Sequence, residues 1–260
     1  MKAQDLRPVG MIAAMSTEIA PLLKRVDVRE RLRIGGFRAW RFHLADKDCL
    51  LVETGIGTRR AGEAARALLA VRRAGLLLSF GIAGAVEADL RIGDVVVGRR
   101  VYALRAAALE SPLGLAGLSP DLEQATATAL RARRAGLLPG TIVTTPGPQA
   151  IQGRPSVFPH PVLDMETAAV AQAAAQAGVP LLALRAISDN PAEPIPFPVE
   201  DIYDEQFRQR TGRLLLALLR RPSLLARLSG TVRNARIAEE NAALAVTTIL
   251  AGAWTDFPAG

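Results

Sequence analysis

The chain has 260 residues, a formal net charge of +7 and a hydrophobic content of 50%, enough for the core of one large α/β domain but not for two full domains. Its single cysteine, Cys49, excludes an intramolecular disulfide framework and a cysteine-built zinc site, and points to a reducing cytoplasm. The positive charge comes from arginines scattered among Ala and Leu; with aromatics at 4% it reads as solvated helix faces rather than as a nucleic-acid surface.

In chain order, Lys2, Asp5, Arg7 and Pro8 precede a short apolar run that reads as an opening strand, Val9 to Ala14, and not as a secretion signal. Ser16 or Thr17 is placed to cap a helix running through Ile19, Leu22 and Leu23, with Pro21 in its first turn. Between Arg31 and Asp48, the pair Gly35-Gly36 and the apolar Phe37, Trp40, Phe42 and Leu44 predict a hairpin beside the first strand. Further strands are predicted at 49–53, 76–80, 94–97, 141–143 and 181–185, and Ala-rich helices at 60–71, 122–135 and 167–177. This alternation predicts an α/β fold: a central mixed, mostly parallel twisted sheet flanked by helices. No apolar stretch reaches the roughly 18 to 20 residues of a membrane span.

From Phe207 the chain becomes Leu/Arg-rich and helical, interrupted at Pro222 and Gly230 and resuming from Asn234 to Leu250. We read residues 1–221 as the catalytic domain and 222–260 as a C-terminal helical extension packed on it. Leu224, Leu225, Leu228, Ile237, Ala238, Leu244 and Ile249 form its apolar stripe, with Arg227, Arg233 and Arg236 outward. Packing on the core or a second subunit outweighs membrane contact by the tail, because amphipathic helices in soluble proteins mostly cover cores.

In such sheets ligands sit beyond the carboxyl ends of the strands. Three loops there carry chemistry: Ala14-Met15-Ser16-Thr17-Glu18, Thr54-Gly55-Ile56-Gly57 and Ala186-Ile187-Ser188-Asp189-Asn190. Two further segments share their character, Ser79-Phe80-Gly81-Ile82-Ala83-Gly84-Ala85 followed by Ile92-Gly93-Asp94, and Leu163-Asp164-Met165-Glu166-Thr167. Taken in order, these segments resemble the nucleoside phosphorylase superfamily, and within it the methylthioadenosine/S-adenosylhomocysteine nucleosidases; Asp-Met-Glu-Thr is also similar to the hopanoid-associated phosphorylase-like proteins.

The resemblance implies cleavage of a purine nucleoside's N-glycosidic bond without cofactor or metal, by a homodimer that binds no nucleic acid. Such cleavage builds oxocarbenium character on the ribose and negative charge on the departing base, so it needs an acid near the base and a carboxylate near the sugar. By resemblance, Asp189 gives a proton to the purine, Glu166 holds the ribose hydroxyls, Glu18 takes a proton from water and Arg185 stands near the nucleophile. Substrate contacts are implied for Met165, Ile82, Ala83, Gly84 and Ser188. Each polar residue has a structural alternative: Glu18 as a helix-dipole partner, Glu166 as a helix cap, Asp189 as a turn former and Arg185 as an ion-pair partner. Gly55, Gly57, Gly81 and Gly84 read first as turn glycines.

Two features depart from the pattern. The arginine cluster that holds phosphate in the phosphorolytic branch is missing at its usual places, which favours water as nucleophile; Arg59 and Arg60 keep phosphorolysis open. The loop from Thr144 to Gln149 lacks the aromatic that stacks on adenine in nucleosidases, leaving Phe158 as the nearest candidate. The 5′ substituent of the substrate stays open, as does adenosylhopane cleavage. Two readings of another class are a non-catalytic nucleoside-binding protein and a membrane-surface protein acting through its tail.

Overall fold

The structure, a computed structural model, describes residues 8–71, 74–106, 108–146, 157–194 and 223–254, with side chains in the last segment from 229 onward. The expected helix around Phe207 and the distal half of the Thr144 to Gln149 loop lie outside the described residues. The elements run β1 (Val9–Ala13), α1 (Ser16–Leu23), β2 (Asp27–Ile34), β3 (Phe37–Leu44), β4 (Lys47–Glu53), α2 (Thr58–Val71), β5 (Leu76–Ala85) and β6 (Val95–Arg105). Then come β7 (Ala108–Leu109), β8 (Leu113–Gly114), α3 (Pro120–Arg131), β9 (Leu137–Thr144), β10 (Pro161–Asp164), α4 (Thr167–Gln176), β11 (Leu181–Asp189) and α5 (Ser223–Ala251).

The sheet has the order β10-β9-β6-β11-β5-β1-β4-β3-β2. Pairings are parallel for β4–β1, β1–β5, β5–β11, β6–β9 and β9–β10, and antiparallel for β2–β3, β3–β4 and β6–β11. The mixed, mostly parallel α/β architecture is therefore present as predicted. The sheet also curls on itself: β10 pairs antiparallel with the end of β5, setting Val162 against Ala85 and Leu163 against Gly84. That return carries Asp164, Met165 and Glu166 to the carboxyl end of β5.

Alternating side chains feed two apolar layers, as the pleat of a sheet covered on both faces requires. One joins Met11, Leu78, Phe80, Leu182 and Leu184 to α1, α3 and α5; the other joins Ile12, Leu77, Ala183 and Ile187 to α2 and α4. Several elements differ from their sequence reading. β5 and β11 outrun their apolar cores, so Gly81 to Gly84 and Ala186 to Asp189 are strand ends rather than loops. Pro21 is the sixth residue of α1, past its first turn.

Gly230 does not interrupt α5, which is continuous from Ser223 to Ala251. Its buried stripe is mostly alanine and valine (Ala238, Ala242, Ala245, Val246), completed by Ile249 and Leu250, while Ile237 is 38% exposed. These small side chains let the helix axis lie close against its neighbours. Trp254 covers the Lys47 ammonium at 4.9 Å from the ring centroid, and Arg233 and Arg236 face solvent as predicted. Among the described residues no helix is long and apolar enough to cross a membrane.

Candidate active site

Glu18 is the third residue of α1, where orphan backbone donors collect. Its Oε2 accepts the Ala14 and Met15 N–H groups at 3.0 and 2.9 Å, so Glu18 itself, rather than Ser16 or Thr17, caps the helix. Its Oε1 accepts the Ile82 N–H of β5 at 3.0 Å. Burial pushes its pKa up, opposed by the Ile82 and Met15 donors, and the net shift is upward.

Glu166 occupies the N-cap position of α4 yet makes no side-chain cap. Asp164 takes that task, accepting the Thr167 N–H at 3.0 Å. Glu166 is thereby free to cross to the glycine turn after β4, where Oε1 accepts the Gly57 N–H at 2.7 Å; Oε2 accepts the Met165 N–H at 3.3 Å. Burial first, then the charge of Asp164, drive its pKa up to about 8; Glu18 adds to the rise, while the Gly57 N–H and Arg185 oppose it.

Asp189 ends β11 just past a register shift between Ile187 and Asp189. Ser188 Oγ donates to its Oδ1 at 2.7 Å. Burial raises its pKa and the Ser188 bond opposes the rise. Both Glu18 and Asp189 lean over β5 at glycines. A Cβ on Gly81 would lie 2.5 Å from Glu18 Oε1, and one on Gly84 would lie 2.7 Å from Asp189 Oδ2. Gly55 and Gly57 have the positive φ of turns, but Gly81 and Gly84 are small for a different reason: each yields its side-chain space to a carboxylate.

Arg185 is 3% exposed and belongs to a buried network. Its Nε and Nη2 pair with Asp164 at 3.0 and 2.9 Å, Nη2 also reaches Ser79 Oγ at 3.0 Å and Thr167 Oγ1 at 2.6 Å, and Nη1 donates to the Leu184 carbonyl at 2.8 Å. Asp164 further accepts the hydroxyls of Thr144, at 2.6 Å, and of Thr167. The ion-pair reading of Arg185 is thus realised, and its charge reaches Glu18 and Glu166 through space, opposing the larger rise that burial imposes on both.

The β5 end links the acids: Ile82 supplies a donor to Glu18, the Ala83 carbonyl lies 3.3 Å from Ser188 Oγ, and Gly84 makes room for Asp189. Met165 is partly buried beside Glu166. Phe158 packs in a tilted arrangement on Tyr102 of β6, ring centroids 4.8 Å apart. Arg60 donates to the Thr54 carbonyl at 2.7 Å and lies over Phe37, and Arg59 pairs with Glu63 on the surface. Sequence reasoning missed Tyr102, Thr144 and the capping role of Asp164; an aspartate three residues before a helix-opening threonine was the signal for the last. A cavity of about 660 Å³ opens beside the acids rather than over them, lined by Thr58, Val101, Ala103, Arg105, Thr144 and Gln172 among others. Among the described residues no cluster of three or more His, Cys, Asp or Glu side chains is arranged to hold a metal ion.

The chain belongs to the phosphorylase superfamily, whose model matches residues 8–221. It is 28% identical over 227 residues to the 5′-methylthioadenosine/S-adenosylhomocysteine nucleosidase of Tolumonas auensis, covering 82% of this chain and 98% of the relative. A nucleosidase of the same description from Maridesulfovibrio salexigens matches with the same identity and coverage. Among solved structures, the nucleosidase of Neisseria meningitidis in complex with methylthio-immucillin-A superposes with a TM-score of 0.67 at 21% identity, over 95% of this chain and 99% of that one. The futalosine hydrolase of Helicobacter pylori superposes with a TM-score of 0.66 at 18% identity, over 94% and 97%. These structures share the fold.

Proposed function

We propose that the protein hydrolyses the N-glycosidic bond of a 5′-thioadenosine, methylthioadenosine or S-adenosylhomocysteine, and releases adenine. The observation that carries this reading is that Glu18 and Asp189 lean on the end of β5 while Glu166, brought there by β10, reaches the glycine turn after β4, in a fold whose curated relatives, matched over nearly their whole length, are nucleosidases. Asp189, whose burial favours the protonated form, delivers a proton to purine N7 as the C1′–N9 bond breaks and its electron pair moves into the base. Glu166 holds the ribose hydroxyls and, in its ionised form, offsets the positive charge at C1′. Water adds to C1′ and loses its proton to Glu18. The products are adenine and the 5-thioribose that still carries its S-substituent, with no cofactor consumed.

Water as nucleophile is supported by Arg59 and Arg60, which are committed to Glu63, the Thr54 carbonyl and Phe37. Met165 and the pair of Phe158 with Tyr102 are the candidate apolar contacts to sugar and base. The same reading includes a homodimer and a cytoplasmic location. The fold shared with a futalosine hydrolase leaves a nucleoside other than a 5′-thioadenosine as the second reading.

The test is adenine release from a panel of 5′-substituted adenosines in phosphate-free buffer without added metal. Turnover on the thioadenosines is the expected result. Turnover that requires phosphate and yields the sugar 1-phosphate overturns the choice of water, and preference for another nucleoside overturns the substrate.

A further inference from the structure

Helix α5 presents an apolar stripe to the sheet, yet two asparagines interrupt it. Asn234 and Asn241 are 5% and 2% exposed and stand seven residues apart, two turns along one face. A buried amide loses its water and must find a partner, whereas an apolar side chain at either place would need none.

The partners lie on both sides of Asp189. Asn241 Nδ2 donates to the Gly93 carbonyl at 2.8 Å, and the Gly93 N–H donates at 2.8 Å to the carbonyl of Ile187, where the β11 register shift begins. Gly93 has φ 87°, and a Cβ there would lie 2.8 Å from Asn241 Nδ2. Helix and turn are therefore fitted to each other at van der Waals range. Beyond Asp189, Asn234 Nδ2 donates to Glu193 Oε2 at 2.8 Å. The Glu193 N–H returns to Asn190 Oδ1 at 2.8 Å, and Asn190 Nδ2 donates to the Leu90 carbonyl at 2.8 Å.

We propose that Asn241 and Asn234 are positioning residues for Asp189, one fixing the strand that enters it and the other the turn that leaves it, so that α5 sets where the leaving-group acid points. The proposal rests on the reading of Asp189 as that acid. Ser188 Oγ and the space over Gly84 define the carboxylate's place, but both depend on the register of residues 187–190, which the asparagines hold.

The experiment measures adenine release by the full chain as kcat and KM across pH for Asn241→Leu, Asn241→Gln, Asn234→Leu and Asp189→Asn. Leucine keeps the volume and removes the donor. Both leucine variants are expected to lose kcat by about ten-fold or more with KM within about two-fold, since misplacing a reacting group is felt in the transition state. Their alkaline limb should move to lower pH, because a loosened Asp189 regains water and gives up its proton more readily. Asn241→Gln, which keeps an amide donor, should recover part of the loss. Unchanged kcat, or a loss with the alkaline limb unmoved, overturns the proposal while an inactive Asp189→Asn leaves the acid assignment standing. Normal turnover by Asp189→Asn overturns both. If Asn241→Leu does not fold, Asn234→Leu and Asn241→Gln carry the same comparison.

Discussion

At the scale of single residues, the site is built as much by what is left out as by what is present. Gly81 and Gly84 have no Cβ where a carboxylate oxygen of Glu18 or Asp189 lies. Gly81→Ala and Gly84→Ala should each lower turnover by about a hundred-fold, measured by adenine release, while changing the melting temperature little; activity near that of the parent would show that the carboxylates can shift harmlessly. Glu166 gives a second prediction. Its carboxyl keeps a proton up to about 8 in the folded chain but releases it at the ordinary carboxyl pKa when unfolded. The native state therefore binds the extra proton between those values, and the stability this confers is complete below the unfolded pKa and lost as pH rises through about 8. Glu166→Gln should flatten that decline and raise the melting temperature at pH 8.5 by a few degrees, on the order expected for 1 kcal/mol in a chain of this size. A thermal scan in which parent and variant fall in parallel would contradict it. The acids were legible as residue types in sequence order, whereas the meaning of Gly81 and Gly84 was not, because it depends on residues far along the chain pressing against them.

At the scale of elements, strands with long apolar runs and helices with apolar spacing were legible from their own periodicity: β4, β5, β11 and α2 contain the segments predicted, and β1 and α4 end one residue short of theirs. β10 was not, since four residues behind a proline carry too little pattern and its pairing with both β9 and β5 is purely tertiary. Gly230 read as a break because glycine weakens an isolated helix by about 1 kcal/mol; packing of the rest of α5 overrides that cost. Val246, Ile249 and Leu250 are fully buried in it, and each contributes about 1.5–3 kcal/mol. Arg25 also ties α1 to Glu240 of α5 at 2.6 Å. Truncation after Arg221 should consequently leave a chain that is insoluble or melts far below the parent, with activity lost on every substrate. A truncated chain that kept its melting temperature would reduce α5 to an ornament of the fold.

At the scale of the whole molecule, two apolar layers on one curled sheet account for the architecture, and the mixed α/β class followed from alternation alone. The closure of β10 onto β5 did not, although it brings Glu166 within reach of Gly57. The homodimer of the proposed function is checked by sedimentation at micromolar concentration, where a mass twice that of the chain is expected and a monomer would contradict it. Two bonds bear on how the protein comes to life. The link from Gly57 to Glu166 spans 109 residues and that from Ile82 to Glu18 spans 64. No early-formed hairpin or helix pair holds even two of the acids in place, and loops of that size close slowly. A newly made chain can acquire most of its helices and still have no centre for chemistry, which arises only when the last distant strands have met.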